Sequence, residues 1–388
     1  MEPAMNFEIK LKTLTPIWTG DINRESPQIR ETGIIGSLRW WYEAMIRALG
    51  GYACDPATGG CSKEGEKKIC PACELFGCTG WGKKFRLQAE GKASENIHLR
   101  IQTRKLKRRN GKPLERQIKG LLYTDASPLT LRLIPLGSPK RHMEDWECVL
   151  LEAVIRLIEN CGGLGAKLAQ GNGVIKVLES NFLKREKSFK ELLQDAREQL
   201  KEKSKALPHP DPSWPNLSDF RFGNFKILFN QPVKTLILQQ AFFGENCTGW
   251  EDYGNNYRFL PIAPHIRDII RSAINSQNRG RRHEVFGFIG RREETRGSRV
   301  FVSHGYYNST SSNEVNFRIY MYKVNEDEID KIGEKLSRDI ERYLFKDEEV
   351  SGRVQTLYLC TQPLIQNGNP TNVQMSQYMK KWEDCLGI

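Results

Sequence analysis

Hydrophobic and polar positions along the chain fall into a strand–helix–strand–strand–helix–strand order that occurs twice. "NFEIKLKTLTPIW" (6–18) opens with the period-two alternation of a half-buried strand. "GIIGSLRWWYEAMIRALGG" (33–51) has the apolar density of a helix, and "KKFRLQ" and a strand within "SPLTLRLIP" (127–135) follow. In "DWECVLLEAVIRLIEN" (145–160), Trp146, Val149, Leu150, Ala153, Val154, Leu157 and Ile158 recur at helical spacing behind an acidic start. "VIKVLE" (174–179) closes the first set.

The charged stretch "SFKELLQDAREQLKEKSK" predicts another helix, which "PHPDPSWP" (208–215) must end, because proline cannot continue it. The second set runs through "FRFGNFKILFN" (220–230), "PIAPHIRDIIRSAI" (261–274), "RVFVS", "VNFRIYMYKV", "EIDKIGEKLSRDIERYLF" and "VQTLYL" (354–359). Two short motifs recur in step: Leu38-Arg39 with Ile266-Arg267, and "FGCTG" (76–80) with "FGFIG" (286–290). A repeated βαββαβ order predicts an α+β chain of two tandem ferredoxin-like (RRM-like) domains. Their expected bounds are 1–182 and 217–388, joined by a charged helix and Pro-rich linker over 183–216.

Charge adds a partner class. The 388 residues hold 59 Lys and Arg against 47 Asp and Glu, a net charge of +12 that suits a polyanion. Clustering sharpens this: "RIQTRKLKRRNGKPLERQIK" (100–119) has nine basic residues against Glu115 alone, and "RGRRHEVFGFIGRREETRGSR" (279–299) has seven against three acids. Each run also reads as a solvated loop. No stretch reaches the roughly 18 apolar residues of a membrane span, and the N-terminus lacks a signal-peptide pattern. A cytoplasmic protein is expected.

Ten cysteines are unevenly placed, five of them between Cys54 and Cys78 and the rest scattered. "CPAC" (70–73) supplies a two-residue knuckle on which two thiolates converge on a tetrahedral ion. Cys54, Cys61, Cys70 and Cys73 are the expected ligands of a structural Zn2+, with Cys78 as the spare, in a Cys-rich insertion over about 50–80. Without histidine nearby, a water-bearing catalytic zinc is disfavoured.

Three segments are candidates for holding a ribose–phosphate chain. "CGGLGAKLAQGNGVIKV" (161–177) carries five glycines that let backbone N–H groups approach an anion, with Gly163, Gly165, Lys167 and Gln170 as its expected contacts. It is neither a Walker A loop, which needs Gly-Lys-Ser/Thr, nor a Rossmann turn, which follows a strand. The start of the 33–51 helix offers Thr32, Gly33 and Ser37 beside Arg39. Trp40 and Trp41 cannot share one helical face. Either one meets a nucleobase or partner protein, or both fill contacts inside the fold. Lys83, Lys84 and Arg86 on a strand, and Arg267, Arg291, Arg292 and Arg299 in the second half, complete the expected basic contacts.

Together "TPIWTGD", "ETGIIGSLRWWYEA", "CPACELFGCTGWGKKFRL" and "GGLGAKLAQGNG" resemble the family of subunit one of the Cmr complex, the type III-B CRISPR effector built from RAMP-superfamily proteins. The resemblance is dense over 7–90, returns at 145–178 and thins beyond to "VFGFIGRR". It implies tandem ferredoxin-like domains and a non-catalytic subunit that binds guide RNA (crRNA) near its 3′ region. Other Cmr subunits are the implied neighbours and target RNA a further partner, in antiviral defence. The loop here, "GAKLAQGNG", is less basic than the family's arginine-rich version. The alternative is a metal-independent endoribonuclease, which needs a histidine general base or a loop aspartate. His265, with His304 a possible neighbour, and Asp21 are its candidates.

Overall fold

The computed structural model describes residues 7–23, 25–58, 60–61, 68–107, 113–137, 142–181, 188–239, 241–242, 259–274, 279–288, 296–309, 312–345 and 352–388. Strand β1 (Phe7–Thr13) buries every second side chain. It pairs antiparallel with β5 (Leu129–Pro135) and β6 (Ile175–Ser180), and β5 also takes β2 (Phe85–Glu90). The sheet order is β2-β5-β1-β6. Register places Ile9 opposite Leu131 and Leu11 opposite Leu129. On one side of the sheet these residues meet Leu38 of helix α1 (Glu31–Ala48) and Ile155 and Ile158 of helix α3 (Asp145–Asn160). A capping box, in which Glu147 accepts from the Glu144 N–H at 2.8 Å, starts α3 at the expected residue.

The first basic run is not a loop. Strands β3 (Glu95–Lys107) and β4 (Pro113–Leu122) form a long antiparallel hairpin outside the four-stranded sheet. Ile97, Leu99 and Ile101 alternate with exposed His98 and Arg100. Their buried face joins the apolar core of the second half rather than the first.

Helix α2 (Pro71–Phe76) lies in the Cys-rich segment, and α4 (Phe189–Ser204) precedes the proline-rich connection. The second sheet is built on β7 (Phe220–Phe229), β9 (Val300–Val302), β11 (Glu314–Tyr322) and β12 (Val354–Leu359) in the order β12-β7-β11-β9. Counted along the chain, this is the strand order of the first sheet, so both halves carry βαββαβ connectivity with antiparallel pairing. Helices α6 (Ala263–Ala273) and α8 (Glu326–Leu344) occupy the two helix positions. The additions are α5 (Val233–Leu238), β8 (Phe259–Leu260), α7 (Arg279–Phe286), β10 (Gly305–Tyr306), β13 (Gln362–Gln366), β14 (Asn369–Pro370) and α9 (Trp382–Leu386).

The halves interlock. Trp41 of α1 is fully buried among Phe220, Phe222 and Tyr320 of the second half, its indole N–H donating to the Gly163 carbonyl at 2.9 Å. Trp40 sits edge-on to Trp41, Phe220 and Phe301. The two tryptophans therefore join the halves. Trp41 has no face left for a base, which corrects its reading as a base contact, while Trp40 stays half-buried. Arg318 of β11 reaches across to the C-terminal end of α3 and donates to the carbonyls of Ile158, Glu159 and Gly162. A cation is favoured there by the unpaired carbonyls and the helix dipole. Cys161 and Cys385, read from the sequence as scattered thiols, form a disulfide that ties the end of α3 to α9.

Candidate nucleic-acid cleft and metal centre

The glycine-rich loop spends its donors internally. Gly165 N–H bonds the Ser37 hydroxyl at 3.0 Å, Ala166 N–H the Trp18 carbonyl, and Gly173 N–H the Pro16 carbonyl. Gly165 has φ +92°, and a side chain there would strike the Trp18 carbonyl. The glycines thus serve close packing, not an open nest of N–H groups. Gly163 and Gly165 are buried, as is Ser37. Lys167 lies 4.0 Å over the Trp18 ring, and burial together with Lys119 holds its pKa below the usual lysine range. Of the four contacts expected in this loop, Gln170 alone is exposed.

Arg39 is also engaged inside. Its guanidinium donates to Glu43 at 2.7 Å, the Gly77 carbonyl at 2.8 Å and Cys73 Sγ at 3.2 Å. It braces the Cys-rich segment, a correction to its reading as a phosphate clamp. Lys84 is buried against Glu147 (2.9 Å) and Glu74 (3.1 Å), so it faces no solvent. Burial pushes the Glu147 carboxyl up to about 7, against the pull of Lys84. Arg299 is paired with Glu284 at 2.6 Å. Thr32 and Arg86 are exposed, Lys83 and Gly33 half-buried. Arg291 and Arg292 lie outside the described residues.

Cys54, Cys61, Cys70 and Cys73 converge, with all four Sγ atoms within 4.8 Å of one another. Cys54 Sγ lies 3.4 Å from Cys73 Sγ and 3.7 Å from Cys70 Sγ. A tetrahedron of thiolates at about 2.3 Å from an ion has edges of about 3.8 Å. The donor set therefore fits a closed tetrahedral metal site. Helix α2 starts on the knuckle, Cys73 N–H donating to Cys70 Sγ at 3.4 Å. Arg47 fixes the other strand of the site by donating to the Ala53 and Cys54 carbonyls. Cys78 is not in the group and contacts the Thr79 carbonyl instead.

A cleft of about 540 Å3 opens where the hairpin, the glycine-rich loop and the second half meet. Arg116 and Gln117 of β4, Gln170, Arg267 and Arg271 of α6, and Arg296 with Ser298 line it. Arg267 is held by the Val300 and Phe286 carbonyls and Ser298. Burial, with Arg271 and Arg116 close by, lowers its pKa to about 9. Among the described residues, no carboxylate makes a salt bridge to Arg116, Arg271 or Arg296. Among the described residues, four guanidiniums facing Glu115 and Asp268 leave a net positive wall. An anion entering it would relieve mutual repulsion and form charge-assisted hydrogen bonds.

Only Gln170 and Arg267 of this wall stand out in the sequence as single residues. Arg116 and Arg296 lie within the basic runs, and Arg271 gives no signal beyond its place one turn after Arg267 on α6. The nuclease candidates are placed otherwise. Asp21 Oδ1 accepts from the N–H groups of Asn23 and Glu25, closing its own turn. His265 and His304 do lie together, but burial holds both at about 3, so both rings are neutral. No helix among the described residues is long and apolar enough to cross a membrane.

Among curated proteins none matches the chain. A crystal structure of Cmr1 from Pyrococcus furiosus (apo form) is similar at 14% identity over 83% of this chain and 88% of that one, with a TM-score of 0.40. A cryo-EM structure of the Type III-B Cmr-beta, bound to cognate target RNA and AMPPnP in the presence of ssDNA, is similar at 12% identity. That match covers 86% of this chain and 99% of that one, with a TM-score of 0.43. Another, bound to cognate target RNA, gives 13% identity over 86% and 98%, with a TM-score of 0.38. The model of the RAMP superfamily matches residues 10–176, the stretch from β1 to β6 that holds the metal-site cysteines, the hairpin and the glycine-rich loop. Residues 10–176 are thus similar to the RAMP superfamily, and the rest of the chain lies outside that match.

Proposed function

We propose that the chain is a non-catalytic structural subunit that binds guide RNA in a type III-B CRISPR RNA-targeting complex. The observation that carries this reading is the cleft in which Arg116, Arg267, Arg271 and Arg296 converge without a matching set of carboxylates among the described residues. It is supported by the superfamily match and by the motifs that resemble subunit one of the Cmr complex. Guanidiniums set on a strand, a helix and a turn suit a ribose–phosphate chain held by charge and shape, with little reading of base edges. Target RNA and the other Cmr subunits are the further partners of this reading.

The repeated strand order supports two tandem ferredoxin-like domains near 1–182 and 217–388. The Cys-rich insertion of the first would hold a structural Zn2+ on Cys54, Cys61, Cys70 and Cys73. When bound, such an ion supplies folding energy to a segment too polar to order itself. The non-catalytic reading is supported by what Asp21, His265 and His304 do instead: one closes a turn, and two are buried and neutral.

Labelled single-stranded guide RNA incubated with the purified chain, in magnesium and in EDTA, tests this. Intact RNA retained by the protein is the expected result. Cleavage abolished by Asp21→Ala or His265→Ala would replace the structural reading with the endoribonuclease one.

A further inference from the structure

The Phe-Gly-x turn occurs in both halves with one difference. In the first, Phe76 is buried, Gly77 has φ +87°, and Cys78 bridges Trp81. In the second, Phe286 is buried under the guanidiniums of Arg267 and Arg271, Gly287 has φ +70°, and Phe288 bridges Arg296. The turn therefore needs the first phenylalanine and the glycine. It does not need an aromatic ring at the third position, which is a half-buried cysteine in the other copy.

Phe288 stays half-buried in the cleft wall. His283 stacks on it at 5.0 Å with 23° between ring planes, which holds the ring in place. The same wall presents Arg271, Arg116 and Arg296, and the cleft's volume is in the range that encloses a small organic molecule. A fixed aromatic ring beside guanidiniums is the pairing used to hold one base and its phosphate, since every base has a face that stacks.

Resting on the guide-RNA reading above, we propose that Phe288 is a stacking platform for one unpaired nucleobase of the bound single strand, with the arginines of the cleft on the adjoining phosphates. The subsite is tolerant of base identity and accepts only nucleotides whose base is splayed from its neighbours.

The test compares full-length wild type, F288A, F288L and F288W by fluorescence anisotropy, with single-stranded RNA and with long-chain polyphosphate, a base-free polyanion. F288A and F288L are expected to weaken RNA binding by roughly 5- to 100-fold and to leave polyphosphate binding unchanged, with F288W near wild type. Equal RNA affinity for F288A and wild type, while Arg271→Ala weakens binding, would overturn the platform and leave the cleft. Equal losses for RNA and polyphosphate would overturn it as well, because a displaced turn then explains the effect. A wild-type chain that binds no RNA would remove the functional reading itself.

Discussion

The His304 N–H donates to the Gly171 carbonyl at 2.9 Å, and the His304 ring occupies the space that a side chain on Gly171 would need. This contact plugs the turn after β9 into the glycine-rich loop and so sets one wall of the cleft against the other. Gly171 has φ +112°, and a Cβ there would lie 2.7 Å from the ring and 2.6 Å from the Ala263 Cβ. Gly171→Ala is expected to destabilise the chain by about 2–4 kcal/mol, from strained backbone and forced displacement. Gly36→Ala is the control. Gly36 is exposed on α1 with open space around its Cβ position, so alanine should add about 0.5–1 kcal/mol. Urea unfolding of the two variants reads both signs.

Acid should reveal the buried imidazoles. His304 is held at about 3, below the ordinary 6.5, so the unfolded chain binds its proton first. Its contribution to stability is complete above pH 6.5 and is lost as pH falls toward 3, with a slope of up to about 1.4 kcal/mol per pH unit. Glu43 and Glu147, raised to about 7, act with the opposite sign: their contribution is present below pH 4.5 and lost as pH rises through 7. Both carboxyls remain in His304→Phe, so their effect cancels in a comparison with wild type. The variant should gain relative stability between pH 6.5 and 4.5. A difference that does not change with pH would show that the ring is not buried as a neutral group.

Arg318 links the halves through three carbonyls at the end of α3. Arg318→Ala leaves those carbonyls without their charged donor in a buried place and should cost at least about 2 kcal/mol. Cleavage within the 208–215 connection should then become faster in limited proteolysis. Unchanged unfolding and proteolysis would mean that the other links, the packing of Trp40 and Trp41 and the Cys161–Cys385 disulfide among them, hold the halves without it.

Metal analysis of the purified chain should find about one zinc per chain, lost in Cys70→Ser and Cys73→Ser and kept in Cys78→Ser. Arg39→Ala should retain the ion but weaken its affinity roughly 10- to 100-fold, because the guanidinium touches Cys73 Sγ. Full occupancy in the Cys73 variant would remove Cys73 from the ligand set.

Local order is legible where one period dominates. Helix α3 begins and ends at the residues its apolar spacing predicts, and both sets of strands follow the alternation read from them. The hairpin is hidden because the alternation of Ile97, Leu99 and Ile101 runs straight into a stretch of nine basic residues over 100–119, although Asn110-Gly111 is a hairpin-turn dipeptide in sequence. Arg39 resembles a phosphate reader because two of its three partners, Cys73 and Gly77, lie more than 30 positions away, whereas Glu43 stands one helical turn on. The same distance in sequence hides the cleft. Its cations come from β4, α6 and the turn before β9, and only the seating of one half on the other brings them together.

The salt dependence of single-stranded RNA binding tests the cleft most directly. Removing one phosphate-bound cation should lower the slope of log K against log salt by about 0.7, so a triple alanine variant at Arg116, Arg271 and Arg296 should lower it by about 2. Alanine at Arg338, exposed on α8 and not among the residues lining the cleft, should leave it near wild type. An unaltered slope in the triple variant would contradict the account, since the strand would then be held elsewhere.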